Sequence, residues 1–122
     1  MKKKILIIDD APEIVTILED LVETFGYQAV SAPDAEQGLQ KLPHEKPDLI
    51  LLDMMLPGMD GFEFARKVKG DESTKNIPII GVSVLREEEH KKRALEAGME
   101  DYVVKPFDPK DLMARIKKLL PS

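Results

Sequence analysis

Three short runs, Ile5–Ile8, Leu49–Leu52 and Ile77–Val82, contain no polar residue at alternate positions. A strand with one wet face alternates apolar and polar side chains. An uninterrupted apolar run of this length instead fits a strand covered on both faces, as in a parallel sheet packed between two layers of helix. Tyr27–Ala32 and Tyr102–Val104 read as two further strands.

The intervening segments carry a helical period. Ile14, Ile17, Leu18, Leu21, Val22 and Phe25 recur at three- and four-residue spacings, and Gly26 follows as a natural stop. Further helices are expected over Ala35–Leu42, Phe62–Val68, Glu87–Ala97 (closed by Gly98) and Pro109–Leu120. The last has Asp108 placed as N-cap, Pro109 at the first helical position and Asp111 in the first turn. The polar stretch Gly70–Asn76 reads as a loop.

Five strands alternating with five helices predict a doubly wound, flavodoxin-like α/β fold with strand order 2-1-3-4-5, because parallel strands need helical crossovers that cover both faces. At 122 residues and 43% hydrophobic content the chain can bury one core without staples, so a single domain over residues 1–122 is expected.

Composition narrows the chemistry. A net charge of -5 argues against this segment gripping nucleic acid or an anionic membrane directly. Without cysteine there are no thiolate metal sites or thiol nucleophiles, and His44 and His90 are far apart in sequence, so any metal must take oxygen ligands. Met1-Lys2-Lys3-Lys4 imitates the basic start of a signal peptide, but Asp9 and Asp10 end the apolar run after four residues, so a cytoplasmic location is expected.

In an open parallel sheet, ligands bind beyond the carboxyl ends of the strands. Asp9 and Asp10 follow the first strand and Asp53 ends the third, so three carboxylates should converge there. Like charges brought that close call for a cation, and with oxygen donors alone Mg²⁺ is the natural candidate. A carboxylate can also act as a nucleophile towards a phosphoryl group, and Asp53, after a rigid buried strand, suits that part. Ser83 at the end of the fourth strand and Lys105 at the end of the fifth add a hydroxyl and an ammonium suited to phosphate oxygens. Each has a plainer alternative when taken alone: the acidic pair is as readily a helix N-cap or solvated loop, Ser83 a loop hydroxyl, and Lys105 a surface charge.

The residues Ile5-Leu6-Ile7-Ile8-Asp9-Asp10, the run Asp48-Leu49-Ile50-Leu51-Leu52-Asp53-Met54-Met55-Leu56-Pro57-Gly58-Met59-Asp60-Gly61, Ser83, and Asp101-Tyr102-Val103-Val104-Lys105-Pro106-Phe107 together resemble the receiver domains of bacterial two-component response regulators, over essentially the whole chain. The resemblance implies that Asp53 takes phosphate from a sensor histidine kinase, a phosphotransfer protein or a small phosphodonor. Mg²⁺ would be held by Asp10, Asp53 and the backbone carbonyl of Met55, with Asp9 on a metal-bound water or in the outer shell. Lys105 would contact the phosphoryl group, Ser83 would be the switch hydroxyl and Tyr102 the aromatic that rotates inward, and the peptide before Pro106 would be cis. The end of the chain, Asp111–Leu120, is similar to receivers of winged-helix transcription regulators, which implies a phosphorylation-dependent homodimer through the fourth helix, fifth strand and fifth helix. Lys91, Glu100, Asp101, Asp111, Arg115 and Lys118 match its charged positions.

Three positions depart from the family pattern: serine at the switch position where threonine is commoner, Val84 where a small residue usually follows, and Gly81 inside a strand. Val84 is expected to narrow access to Asp53. Competing readings are a phosphohydrolase with an aspartyl intermediate, an interaction module that takes no phosphate, and a flavin carrier. The hydrolase needs a second acid two residues after its nucleophile, where this chain has Met55. A flavin carrier lacks its phosphate-cradling loop after the first strand, and the aromatics to sandwich the flavin are few.

Overall fold

Five strands and five helices alternate without exception in the computed structural model, which describes residues 2–85 and 88–121. In chain order they are β1 Lys4–Ile8, α1 Pro12–Thr24, β2 Gln28–Ala32, α2 Ala35–Glu45, β3 Leu49–Asp53, α3 Gly61–Lys69, β4 Ile79–Ser83, α4 Glu88–Glu96, β5 Asp101–Val104 and α5 Pro109–Leu119. All strand pairs are parallel, in the order β2-β1-β3-β4-β5. This is the expected sheet.

The uninterrupted apolar runs are explained by two cores, one on each face. Leu6, Ile8, Ile50, Leu52, Ile79 and Tyr102 point to the face covered by α2, α3 and α4. Ile5, Ile7, Leu49, Leu51, Ile80, Val82 and Val103 point to the face covered by α1 and α5. Every residue of β3 and β4 is buried, whereas the edge strand β2 is mostly half-exposed.

Element ends follow local chemistry. Asp34, Asp60 and Asp108 cap α2, α3 and α5, each accepting a hydrogen bond from a backbone N–H in the first turn. The expected stop of the second helix at Leu42 is too early: α2 continues through Pro43 to Glu45, because a proline so near the end forfeits little of the ladder, and Lys46 N–H still bonds Leu42 O at 3.0 Å. β4 begins at Ile79, two residues later than expected, since Pro78 has no N–H to give a ladder. The expected start of the fourth helix at Glu87 lies outside the described residues. No helix among the described residues is long and apolar enough to cross a membrane.

Candidate functional site

The carboxyl ends of β1, β3, β4 and β5 deliver Asp9 and Asp10, Asp53, Ser83 and Lys105 to one edge of the sheet. β5 ends at Val104, as expected, and just beyond it Lys105 N–H bonds Ser83 O at 2.7 Å. That bond prolongs the ladder far enough to fix where Lys105 leaves the sheet.

Asp9 and Asp53 are buried at 3% and 7% exposure, while Asp10 is exposed. One carboxylate oxygen from each of the three lies within 4.8 Å of the others. The plainer alternative for the acidic pair, a helix N-cap, does not hold: the N-cap of α1 is Ala11, with no side-chain cap bond, and Asp9 Oδ1 instead accepts from Ala11 N–H at 2.9 Å. Lys105 Nζ lies 3.1 Å from Asp9 Oδ2 and 3.7 Å from Asp53 Oδ2, so it is neither a surface charge nor committed to one carboxylate.

Asp53 Oδ1 accepts from Met55 N–H at 3.0 Å. Burial pushes the Asp53 pKa above its ordinary value; the Met55 N–H and the Lys105 ammonium pull it down, and the Asp9 and Asp10 charges add to the rise. A clustered set of oxygen donors, one of them open to solvent, suits a hard divalent cation that keeps part of its water.

Ser83 is fully buried, and its Oγ accepts from Leu85 N–H at 3.2 Å. Tyr102 is also buried, and its hydroxyl donates to Leu85 O at 2.8 Å. The ring thus already lies inward in this conformation, and the backbone of Leu85, through its N–H and its carbonyl, joins the two side chains expected to switch. Leu85 was not a sequence candidate; an aliphatic loop residue acting through its backbone leaves no signal in side-chain chemistry. The Lys105–Pro106 peptide is cis, as the resemblance implied. Val84 is 57% exposed and Met55 55%.

Gly81 has a packing reason. A Cβ added there would lie 3.1 Å from both Met54 Sδ and Met99 Sδ and 3.2 Å from Tyr102 Cδ1. The glycine leaves room for two methionines and for the Tyr102 ring beside it in register.

A family model describing the response regulator receiver domain matches residues 5–117. The phosphate regulon transcriptional regulatory protein PhoB of Pseudomonas aeruginosa is 45% identical over 118 residues, 97% of this chain and 52% of that protein. The alkaline phosphatase synthesis transcriptional regulatory protein PhoP of Bacillus subtilis is 42% identical over 120 residues, 98% of this chain and 49% of that protein. The chain therefore spans about half the length of these curated relatives. Among solved structures, a two-component response regulator from Clostridium difficile superposes with a TM-score of 0.92 at 29% identity, covering 98% of this chain and 97% of that one.

Proposed function

The chain belongs to the response regulator receiver domain family of two-component signalling, and from that premise we propose that Asp53 is its phosphoacceptor. The observation that carries this reading is the placement of Asp53 at the end of β3, with Asp9 and Asp10 oxygens within 4.8 Å and the Lys105 ammonium 3.7 Å away. A carboxylate oxygen of Asp53 forms a new P–O bond as the P–N bond of a phosphohistidine, or the P–O bond of a small acyl phosphate, breaks. The electron pair leaves with the imidazole or carboxylate of the donor.

Asp10, Asp53 and the backbone carbonyl of Met55 would hold Mg²⁺, with Asp9 on a water of its shell. When bound, the ion neutralises the charge on the transferring oxygens. Lys105 then turns from the carboxylates to the phosphoryl oxygens, and the Ser83 hydroxyl, now an acceptor from Leu85 N–H, donates to one of them. The phosphoryl group adds nearly two negative charges and several strong acceptors, which favour the arrangement that pairs them. The switch is thus a population shift.

The domain serves signalling. Its catalysis is confined to its own phosphorylation and slow dephosphorylation, because Met55 supplies no acid–base group where a phosphohydrolase keeps one. Its donor is a sensor histidine kinase or phosphotransfer protein, its place the cytoplasm, and its output passes through the α4–β5–α5 face to another domain or partner. Val84, with its side chain largely in solvent, tunes access to Asp53 without closing it.

Intact-mass analysis after acetyl phosphate with Mg²⁺ tests the reading. The wild type should gain one phosphoryl mass, lost on adding a chelator beforehand or in Asp53→Ala. A wild type that stays unmodified would overturn the proposal in favour of a phosphate-independent interaction module.

A further inference from the structure

Resting on the reading of Asp53 and Met55 above, we infer that Glu36 is a positioning residue for the phosphoacceptor site, acting on the loop between β3 and α3. Glu36 lies in the first turn of α2, distant from the site in sequence and outside the set of carboxylates that cluster around Asp53. Its Oε1 accepts a hydrogen bond from Met59 N–H at 3.1 Å, across 23 residues of chain. A second observation places the same carboxylate over the same loop: Gly58 has φ +78°, and a Cβ added there would stand 3.2 Å from Glu36 Oε1. The loop therefore passes directly beneath Glu36, bare of side chain at its closest point.

What this contact can do follows from what holds its two ends. The loop runs from Met54 to Asp60 and includes Met55, the residue whose carbonyl is assigned to the metal. At one end Met55 N–H bonds Asp53 Oδ1, and at the other Asp60 caps α3 through Glu63 N–H at 2.9 Å. The first of these anchors is the phosphoacceptor itself, whose oxygens are needed for chemistry, so it is a poor fixed point. Glu36 supplies a bond from outside β3 and α3, and its helix is firmly seated. At Gly38 an added Cβ would lie 2.5 Å from Ile8 Cδ1, so α2 rests on β1 one residue before the acidic pair. The strand bearing Asp9 and Asp10 and the loop bearing Met55 are thereby tied to one frame. A loop held in its binding geometry beforehand loses less freedom when its carbonyl takes a metal.

The test is Mg²⁺ affinity by titration calorimetry, with amide exchange at Met59 read in parallel. Glu36→Ala should weaken Mg²⁺ binding about threefold to tenfold, the range expected for one exposed hydrogen bond of ordinary strength. It should also speed Met59 exchange without metal. Glu36→Gln, which keeps the acceptor oxygen, should restore most of both. Asp34→Ala is the control, since it weakens the same helix end through its cap and should lower thermal stability while leaving Mg²⁺ affinity near wild type. If Glu36→Ala keeps wild-type Mg²⁺ affinity, or if Asp34→Ala weakens binding equally, Glu36 is only part of a helix end and the inference fails. A wild type that binds no Mg²⁺ overturns the metal site itself, and the positioning role with it. That outcome is distinct because it appears without any substitution.

Discussion

Asp53 is held in a setting that favours its neutral form: burial raises its pKa, and two more carboxylates stand beside it. The consequence for stability has a definite sign. The folded-state pKa lies above that of an ordinary, solvated aspartate, so the fold gains from the protonated form at pH below the ordinary value and loses the gain as pH rises through the folded pKa. At neutral pH the ionised group is a net cost. Asp53→Asn, which keeps an acceptor for Met55 N–H, should therefore melt higher than the metal-free wild type at neutral pH, on the order of a few degrees. The gap should close as pH falls towards the ordinary aspartate pKa, and Mg²⁺ should narrow it by stabilising only the wild type. Calorimetric melts across that range check this; an Asn variant that melts lower at neutral pH sinks it. Gly81 carries a second prediction at this scale. Gly81→Ala must displace Met54, Met99 or the Tyr102 ring by a few tenths of an ångström, at a cost of about 1–3 kcal/mol in urea denaturation. The chemical shifts of the Tyr102 ring and of both methionine methyls should move with it. Asp9, Asp10, Asp53, Ser83 and Lys105 were legible in the sequence because strand ends in a parallel sheet define one edge. The Gly81 pocket was not, since it is made by two methionines 45 residues apart that nothing in the pattern joins.

Helices and strands in this chain are tied to one another by a few side chains at their ends, and Lys69 is the clearest case. At the end of α3, its Nζ donates to Ile77 O at 2.7 Å and Lys75 O at 3.2 Å, and pairs with Glu100 Oε2 at 2.9 Å. Glu100 Oε1 in turn accepts from Ile79 N–H at 2.8 Å, and Gly98, at φ +98°, leaves space for the Lys69 stem, whose Cγ would be 2.7 Å from an added Cβ. One ammonium thus binds the close of α3, the approach to β4 and the turn before β5. Its side chain is only 16% exposed, so Lys69→Met should cost about 1.5–3 kcal/mol, the range for hydrogen bonds to charged groups. Hydrogen exchange should rise first in β4 and β5, leaving β1 and β3 protected; a uniform rise would count against a local clamp. At the end of α2, Lys46 adopts φ +45°, a left-handed conformation that costs a side-chain-bearing residue more than glycine. Lys46→Gly should accordingly gain about 0.5–1 kcal/mol in the same assay, the left-handed penalty less glycine's chain entropy. Periodicity placed all ten elements, but their ends depended on prolines and caps. Pro43 reads as a stop yet sits inside a helix, and Lys69 looks like one more cation on a charged helix until Glu100 is seen opposite it.

Across the whole molecule, the sheet divides the work: one edge gathers the carboxylates, hydroxyl and ammonium of the site proposed to take phosphate, and the α4–β5–α5 face is proposed to report it. The charged residues proposed for dimer contacts are not all free to serve. Arg115 Nη1 pairs with Asp101 Oδ1 at 2.6 Å and its Nε with Asp111 Oδ2 at 3.0 Å within one chain, while Glu100 is engaged by Lys69 and Ile79. The sequence could show complementary charges on this face but not whether they pair within a chain or between two, because both arrangements use the same residues. The Arg115 guanidinium pKa is raised chiefly by its Asp101 hydrogen bond, so it stays charged throughout the working range. Partly exposed pairs of this kind are worth only ~0–1 kcal/mol each, so exchanging intrachain for interchain partners costs little. Beryllofluoride with Mg²⁺ should therefore convert the chain from monomer to dimer in sedimentation velocity. Arg115→Ala should weaken that dimer several-fold, and added salt should weaken the wild-type dimer by screening the same contacts. A chain that stays monomeric at high concentration with the mimic bound would assign this face to an output domain or another partner, and a dimer indifferent to both Arg115→Ala and salt would move the interface elsewhere.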